Sequence, residues 1–198
     1  MDRNLEHYIF HKQNFLSGEF CKKAVVELSD ATWKKHDWDN VWGDDGSEHI
    51  PLYRSGENEP KVFYSGDVSG RVPLNRTILD KMHPVLSEYM DYLGFEWFKG
   101  WTGYTSLKFI EYSHNERMAY HCDHIRSMFD GEKKGIPILS VIGTLNDDYD
   151  GGELVMFDDK EIILGEGDLI IFPSVFLYPH KINPIKKGKR YSYTSWVW

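Results

Sequence analysis

The sequence predicts a mainly β fold, a sandwich or jelly roll with helices packed on one of its sheets. Three observations carry this. After Gly94 the chain breaks into short runs rich in β-branched and aromatic residues: TSLKFIEY, PILSVIGTLN, GELVMF, EIILG, DLIIFP, VFLYPH and RYSYTSWVW, a composition suited to a pleated, half-buried surface. Gly, Asp and Pro separate these runs at the short spacing of an all-β domain. Before Gly94, two segments instead repeat their apolar residues with a helical period.

Taken in order, Ser17 is placed to cap a helix whose face carries Phe20, Cys21, Ala24, Val25 and Leu28. From Trp33 to Gly70, through DWDNVWGDDG and RSGENEP, neither period is sustained, so a long connection is expected that is functional, mobile or built of strands too short to show a period. Its aromatics Trp38, Trp42, Tyr53, Phe63 and Tyr64 either close over a site or anchor the segment on the sandwich, and anchoring is the reading taken. A second helix is expected from Asn75 to Leu93, with Leu79, Met82, Leu86, Tyr89, Met90 and Leu93 as its stripe and Gly94 as its stop. Pro84 should kink or split it. The β runs follow, without internal repeats or low-complexity segments.

At 198 residues the chain suits one domain, 1–198, with helical support and substrate-side loops over 1–100 and a β core over 101–198. A net charge of −8 argues against nucleic acid as a partner, and the basic cluster Lys186, Lys187, Lys189 and Arg190 reads as a turn. Cys21 and Cys122 are not at metal-ligand spacing and are expected as free thiols in a reducing compartment. No secretory signal is evident, and no apolar run approaches the roughly 20 residues that span a bilayer. A cytoplasmic protein without a membrane partner is expected.

The stretch AYHCDH carries the chemistry. In an extended segment His121 and Asp123 share one side while Cys122 turns away. Alone, such a triplet is far more often a polar turn than a metal site. His180 lies 59 positions on; two imidazoles and one carboxylate can hold one face of an octahedral metal and leave the opposite face open, whereas zinc is more often held tetrahedrally. Arg190 follows ten residues after His180, across the turn-forming INPIKKGK. If the two strands belong to facing sheets, roughly 10 Å apart, Arg190 reaches toward that metal. A guanidinium there suits a dicarboxylate tail.

With these residues the sequence resembles the iron(II) and 2-oxoglutarate-dependent oxygenases, within them the prolyl 4-hydroxylase-like branch. The resemblance runs over residues 105–198: Tyr112 nine residues before His121, the His121-Cys122-Asp123 triplet, LNDDYDGGELVMF, GDLIIFPS and HKINPIKKGKRYSYTSW. It implies a double-stranded β-helix, with His121, Asp123 and His180 as iron ligands and Arg190 as the anchor for the far carboxylate of 2-oxoglutarate, these four being the catalytic set. It further implies Tyr112 as a wall of the co-substrate pocket, with Thr144 and Ser192 as added hydrogen-bond partners. The implied cofactors are Fe(II), 2-oxoglutarate, O2 and ascorbate. The implied reaction couples decarboxylation of 2-oxoglutarate to hydroxylation, with a prolyl residue in a peptide or protein as the partner substrate. A hydroxylase of a small molecule or nucleotide, a non-catalytic jelly-roll binding module and a zinc hydrolase stay open.

Departures are informative. Asn115 stands where the family has a glycine, and Asn is the residue that best tolerates a left-handed backbone in its place. Asp123 is present, so hydroxylation rather than halogenation is expected. Lys189 should face away from Arg190 by strand alternation. Gly151, Gly152 and Glu153 read as a turn, and His124 as a neighbour outside the ligand set. Arg126 and Met128 are candidate substrate contacts. His7, His11, His36, His49, His83 and His114 are read as surface or core residues.

Overall fold

The computed structural model describes residues 4–36, 41–42, 48–49, 58–64, 72–98, 100–123 and 137–198. After a short 3-10 turn, Leu5–Tyr8, come β1 (Phe10–Lys12), α1 (Gly18–Ser29), β2 (Lys34–Lys35), β3 (Val41–Trp42), β4 (Glu48–His49), β5 (Lys61–Tyr64) and α2 (Val72–Leu93). The second half is all strand: β6 (Lys108–Tyr112), β7 (Met118–His121), β8 (Leu139–Thr144), β9 (Asp150–Gly151), β10 (Leu154–Met156), β11 (Lys160–Ile162), β12 (Leu169–Pro173), β13 (His180–Ile182), β14 (Ile185–Lys187) and β15 (Arg190–Val197).

Seven strands form the larger sheet in the order β1-β12-β8-β15-β6-β5-β2, and four form a facing sheet, β11-β10-β13-β7. All these pairings are antiparallel. This is the expected jelly roll with helices on one sheet. Strand alternation sorts the larger sheet's side chains. Leu107, Phe109, Tyr191, Tyr193, Val141 and Ile171 pack with Cys21, Ala24 and Leu28 of α1 and with Ile78, Met82 and Leu86 of α2. Ile110, Tyr112, Ile142, Ile170 and Phe172 face inward, against Met118, Leu154, Met156 and Ile182 of the smaller sheet. Two apolar layers thus clamp one seven-stranded sheet, and the inner layer borders the site.

Local signals act as expected at several points. The Ser17 hydroxyl accepts from the Phe20 N–H at 3.3 Å. Gly94, at φ 61°, ends α2 while its N–H donates to the Met90 carbonyl. Asn115 adopts φ 64° in the tight turn between β6 and β7.

Other expectations are corrected. α2 starts earlier, at Val72, and continues unbroken through Pro84. Pro84 is exposed, while Met82, Val85 and Leu86 around it are buried, so packing on the sheet holds the helix across the missing N–H. VFLYPH is not a strand: the Tyr178 N–H closes a turn onto the Val175 carbonyl at 2.9 Å, and β13 begins only at His180. Pro179 offers no N–H to a ladder. The irregular segment contains β2, β3, β4 and β5, each of two to four residues and too short to display a period. Trp42, Phe63 and Tyr64 are therefore strand residues, while Trp38 and Tyr53 lie outside the described residues. Cys21 and Cys122 are free, and among the described residues no helix is long and apolar enough to cross a membrane.

Candidate metal centre

β7 and β13 are neighbours in the smaller sheet, and their register sets His121 directly opposite His180. The two rings lie 4.4 Å apart between centroids. β7 stops at His121, so Asp123 comes from the turn just beyond the strand rather than from the extended segment that was expected. It nevertheless converges on the pair: Asp123 Oδ1 is 3.3 Å from His121 Nε2 and 3.7 Å from His180 Nε2. One ligand atom from each of the three residues lies within 4.8 Å of the others.

Each ring is oriented by its own backbone. His121 Nδ1 sits 2.7 Å from the Ala119 carbonyl and His180 Nδ1 3.1 Å from the Tyr178 carbonyl. A carbonyl only accepts, so each Nδ1 carries the proton and each Nε2 offers a lone pair to the shared point. Burial, followed by the neighbouring His121, pulls the His180 pKa down to about 4, which keeps that imidazole neutral. Burial alone would raise the Asp123 pKa; His180, His121 and the Ser140 hydroxyl outweigh it and hold the carboxyl well below its ordinary value. Two imidazoles and one carboxylate, with side chains at most 10% exposed, are suited to a divalent cation.

Arg190 opens β15 on the facing sheet and is 1% exposed. Its register partner is Tyr112, whose ring lies 5.2 Å from the guanidinium carbon. Nη1 donates to the Ser192 hydroxyl at 2.8 Å, and Nε has no acceptor among the described residues. No described carboxylate forms an ion pair with it. A guanidinium this deeply buried without a counter-charge is costly, and a bound anion would relieve that cost. Gly152 makes room for it, since a Cβ there would stand 3.2 Å from Arg190 Cδ. A cavity of about 190 Å3, lined in part by Tyr149, Gly152, Leu154, Ile162 and Leu164, adjoins Arg190.

The remaining sequence candidates are placed as follows. Tyr112 is buried beside Arg190, and burial raises its pKa. Ser192 accepts from Arg190, leaving its own proton for another acceptor. Thr144, opposite Ser192, donates its hydroxyl to the Gly165 carbonyl at 2.7 Å, so it must rotate to donate elsewhere. Lys189 points to the opposite side and pairs with Glu111 at 3.2 Å. His124, Arg126 and Met128 lie outside the described residues.

Sequence reasoning missed Ser140, whose hydroxyl donates to Asp123 Oδ2 at 2.6 Å, and Phe172, whose ring meets His180 edge-on at 5.2 Å. Alternation along LSVIGT puts Ser140 on the same face as Thr144, which was the available signal. His36 is buried 3.5 Å from the equally buried Glu59, and burial lowers its pKa.

Residues 107–198 match the model of the 2OG-Fe(II) oxygenase superfamily. The match covers a little under half of the chain. His121, Asp123, His180 and Arg190 all fall inside the matched segment. Among curated proteins, the PKHD-type hydroxylase IL0759 of Idiomarina loihiensis is 34% identical over 89 residues, 43% of this chain and 38% of the relative. The PKHD-type hydroxylase PiuC of Pseudomonas aeruginosa is 36% identical over 84 residues, 39% of this chain and 36% of the relative. The matched stretch thus spans under two-fifths of either relative. The fold is also that of a Trichoplax adhaerens prolyl hydroxylase solved with a hypoxia inducible factor peptide fragment (TM-score 0.65, 17% identity, covering 97% of this chain and 84% of that one). A Pseudomonas putida prolyl-4-hydroxylase gives a TM-score of 0.62 at 18% identity, covering 96% and 92%. Fe(II), 2-oxoglutarate and O2 are the reactants that the superfamily implies. The matched segment fits them: two histidines and an aspartate for the iron, and a buried guanidinium without a counter-charge among the described residues for a carboxylate.

Proposed function

We propose that this protein is an Fe(II)- and 2-oxoglutarate-dependent dioxygenase that hydroxylates prolyl residues in a peptide or protein. The observation that carries this is the buried Arg190, without a described carboxylate partner, on the sheet facing a His-Asp-His cluster. His121 Nε2, Asp123 Oδ1 and His180 Nε2 hold the iron, and Arg190 holds the far carboxylate of 2-oxoglutarate. When bound, Fe(II), 2-oxoglutarate and O2 supply the oxidising chemistry, with ascorbate as the reductant that keeps the metal ferrous. The protein positions the reactants and excludes water. Tyr112 and Ser192 steer the guanidinium through the ring contact and the hydrogen bond described above. Ser140 fixes the rotamer of Asp123, and the two backbone carbonyls fix the imidazole tautomers. The prolyl substrate is supported by the names that the similar hydroxylases carry.

Anaerobic titration of the metal-free protein with Fe(II) and 2-oxoglutarate tests the assignment. A weak visible charge-transfer band should appear, and Arg190→Ala should weaken co-substrate binding by at least about a hundredfold, since a buried charged hydrogen-bonded pair is lost. Aerobic reaction with proline-containing peptides should then give succinate and hydroxyproline in equal amounts. Turnover without any peptide would point to a small-molecule hydroxylase, and absence of the band to a binding module.

A further inference from the structure

We propose that Ser174 is a positioning residue for the metal centre: acting through Ser140, it keeps Asp123 to a single metal-facing oxygen and so keeps a coordination position open for the co-substrate. This deepens the oxygenase reading and rests on it. Ser140 lies on β8, and Ser174 directly follows β12, the neighbouring strand of the larger sheet. Both are shut off from solvent, at 0% and 1% exposure. The chain does not leave the sheet at Pro173, because the Ser174 N–H still donates to the Ile138 carbonyl at 3.0 Å. That bond fixes where the Ser174 hydroxyl stands, 2.5 Å from Ser140 Oγ.

The proton count gives the pair a direction. Each hydroxyl has one proton to donate, and an ionised carboxylate only accepts. Ser140 donates to Asp123 Oδ2 at 2.6 Å, so Ser174 must donate to Ser140. Among the described residues neither hydroxyl has another partner. The result is a one-way relay from Ser174 to Ser140 to Asp123, its last link as short as a charge-assisted bond. Without Ser174, the Ser140 oxygen would be buried with no donor and its proton would lose its fixed direction.

The relay acts on one oxygen of the carboxylate. Oδ2 is held against Ser140, while Oδ1 faces the imidazoles, 3.3 Å from His121 Nε2 and 3.7 Å from His180 Nε2. Turning the carboxylate so that both oxygens met one ion would break the bond to Ser140 and strand two buried hydroxyls, which a dry interior penalises. With Oδ1 alone engaged, three protein atoms would hold an octahedral ion and three positions would stay open. A carboxylate gripping through both oxygens would close one of them. A 2-keto acid offers two oxygens and O2 one, so the serine pair guards the capacity to bind both.

Mn(II) reads the open positions directly, because water on each of them speeds the proton relaxation of the solvent. At saturating protein that enhancement should fall by about a third in Ser140→Ala, as one of three positions closes, and by less in Ser174→Ala. Calorimetry of the Mn(II)-loaded protein should show 2-oxoglutarate binding weakened about tenfold in Ser140→Ala and several-fold in Ser174→Ala, as for a lost outer hydrogen bond. In the Ser140→Ala background, Ser174→Ala should add nothing, since the relay is already cut. Ser174→Thr should match wild type, while Ser174→Val, the same shape without the hydroxyl, should match Ser174→Ala. Unchanged relaxation in both alanine variants, an effect of Ser174→Ala that persists without Ser140, or equal behaviour of the Thr and Val variants would overturn the proposal. The Fe(II) and 2-oxoglutarate band of the wild type is followed in parallel. Its absence defeats the oxygenase reading and the relay with it, whereas its presence beside an unchanged relaxation series defeats only the relay.

Discussion

At the scale of single residues, the proposed metal donors could be picked out of the sequence because their chemistry is rare. His121 and Asp123 are two apart, whereas His180, 59 positions on, is reached through the separate run HKINPIKKGKRYSYTSW. The residue that aims Asp123 was not legible. Ser140 is an ordinary serine in an apolar strand, and only the fold brings its hydroxyl within 2.6 Å of the carboxylate. It is buried and also meets the Ser174 hydroxyl, so the pair is a fixed donor rather than a solvated one. Ser140→Ala should leave the fold intact and weaken Fe(II) affinity by about 10- to 100-fold, as loss of a ligand's hydrogen-bond partner does. Competition with a chromophoric chelator would measure it. An unchanged affinity would mean that His121 and His180 alone orient Asp123.

Elements were legible where they are long. The β runs other than VFLYPH and both helices stood out, because a period needs several residues to declare itself, whereas β2 to β4 have two residues each. Turn chemistry explains the rest. Gly152, at φ 68°, was read as a turn glycine, yet a Cβ there would also clash with Ile185 Cδ1 and crowd Arg190 Cδ. Gly152→Ala should therefore cost about 1–3 kcal/mol in denaturant unfolding and loosen co-substrate binding. A stability loss alone would confine the glycine to the turn. Glu111 of β6 makes a pH-dependent contribution to stability. Its burial raises the carboxyl pKa, but hydrogen bonds from Tyr191, Lys61 and Lys189 outweigh that and set it below the ordinary 4.5. With the folded value depressed, the stabilisation is complete above about pH 4.5, the unfolded value, and vanishes as pH falls through the folded one. Glu111→Gln should thus be less stable than wild type at pH 7, with the gap closing in strong acid. Urea midpoints at a series of pH values will show it, and a gap independent of pH would exclude the ionised pair as its cause.

On the scale of the whole molecule, function depends on how two sheets face each other. The three donors belong to the smaller sheet and the turn beyond β7, while Arg190 belongs to the larger one, whose outer face is clamped by α1 and α2. The alternation that turns Tyr191 and Tyr193 outward onto the helices turns Arg190, Ser192 and Thr194 inward. The core and the site are therefore two faces of one register. At the proposed site a metal would engage one sheet, whereas 2-oxoglutarate held between metal and guanidinium would engage both. Ligands that bind only the folded state at a hundred times their Kd add about 2.7 kcal/mol each, or roughly 5–11 °C in Tm for a domain of this size. Mn(II) alone should raise Tm by such a step, and 2-oxoglutarate should add a second step only when the metal is present. In Arg190→Met the metal step should persist and the co-substrate step disappear. Calorimetric melting of wild type and variant decides this. A second step that survives Arg190→Met would place the far carboxylate elsewhere, and one that appears without metal would separate the two halves of the site.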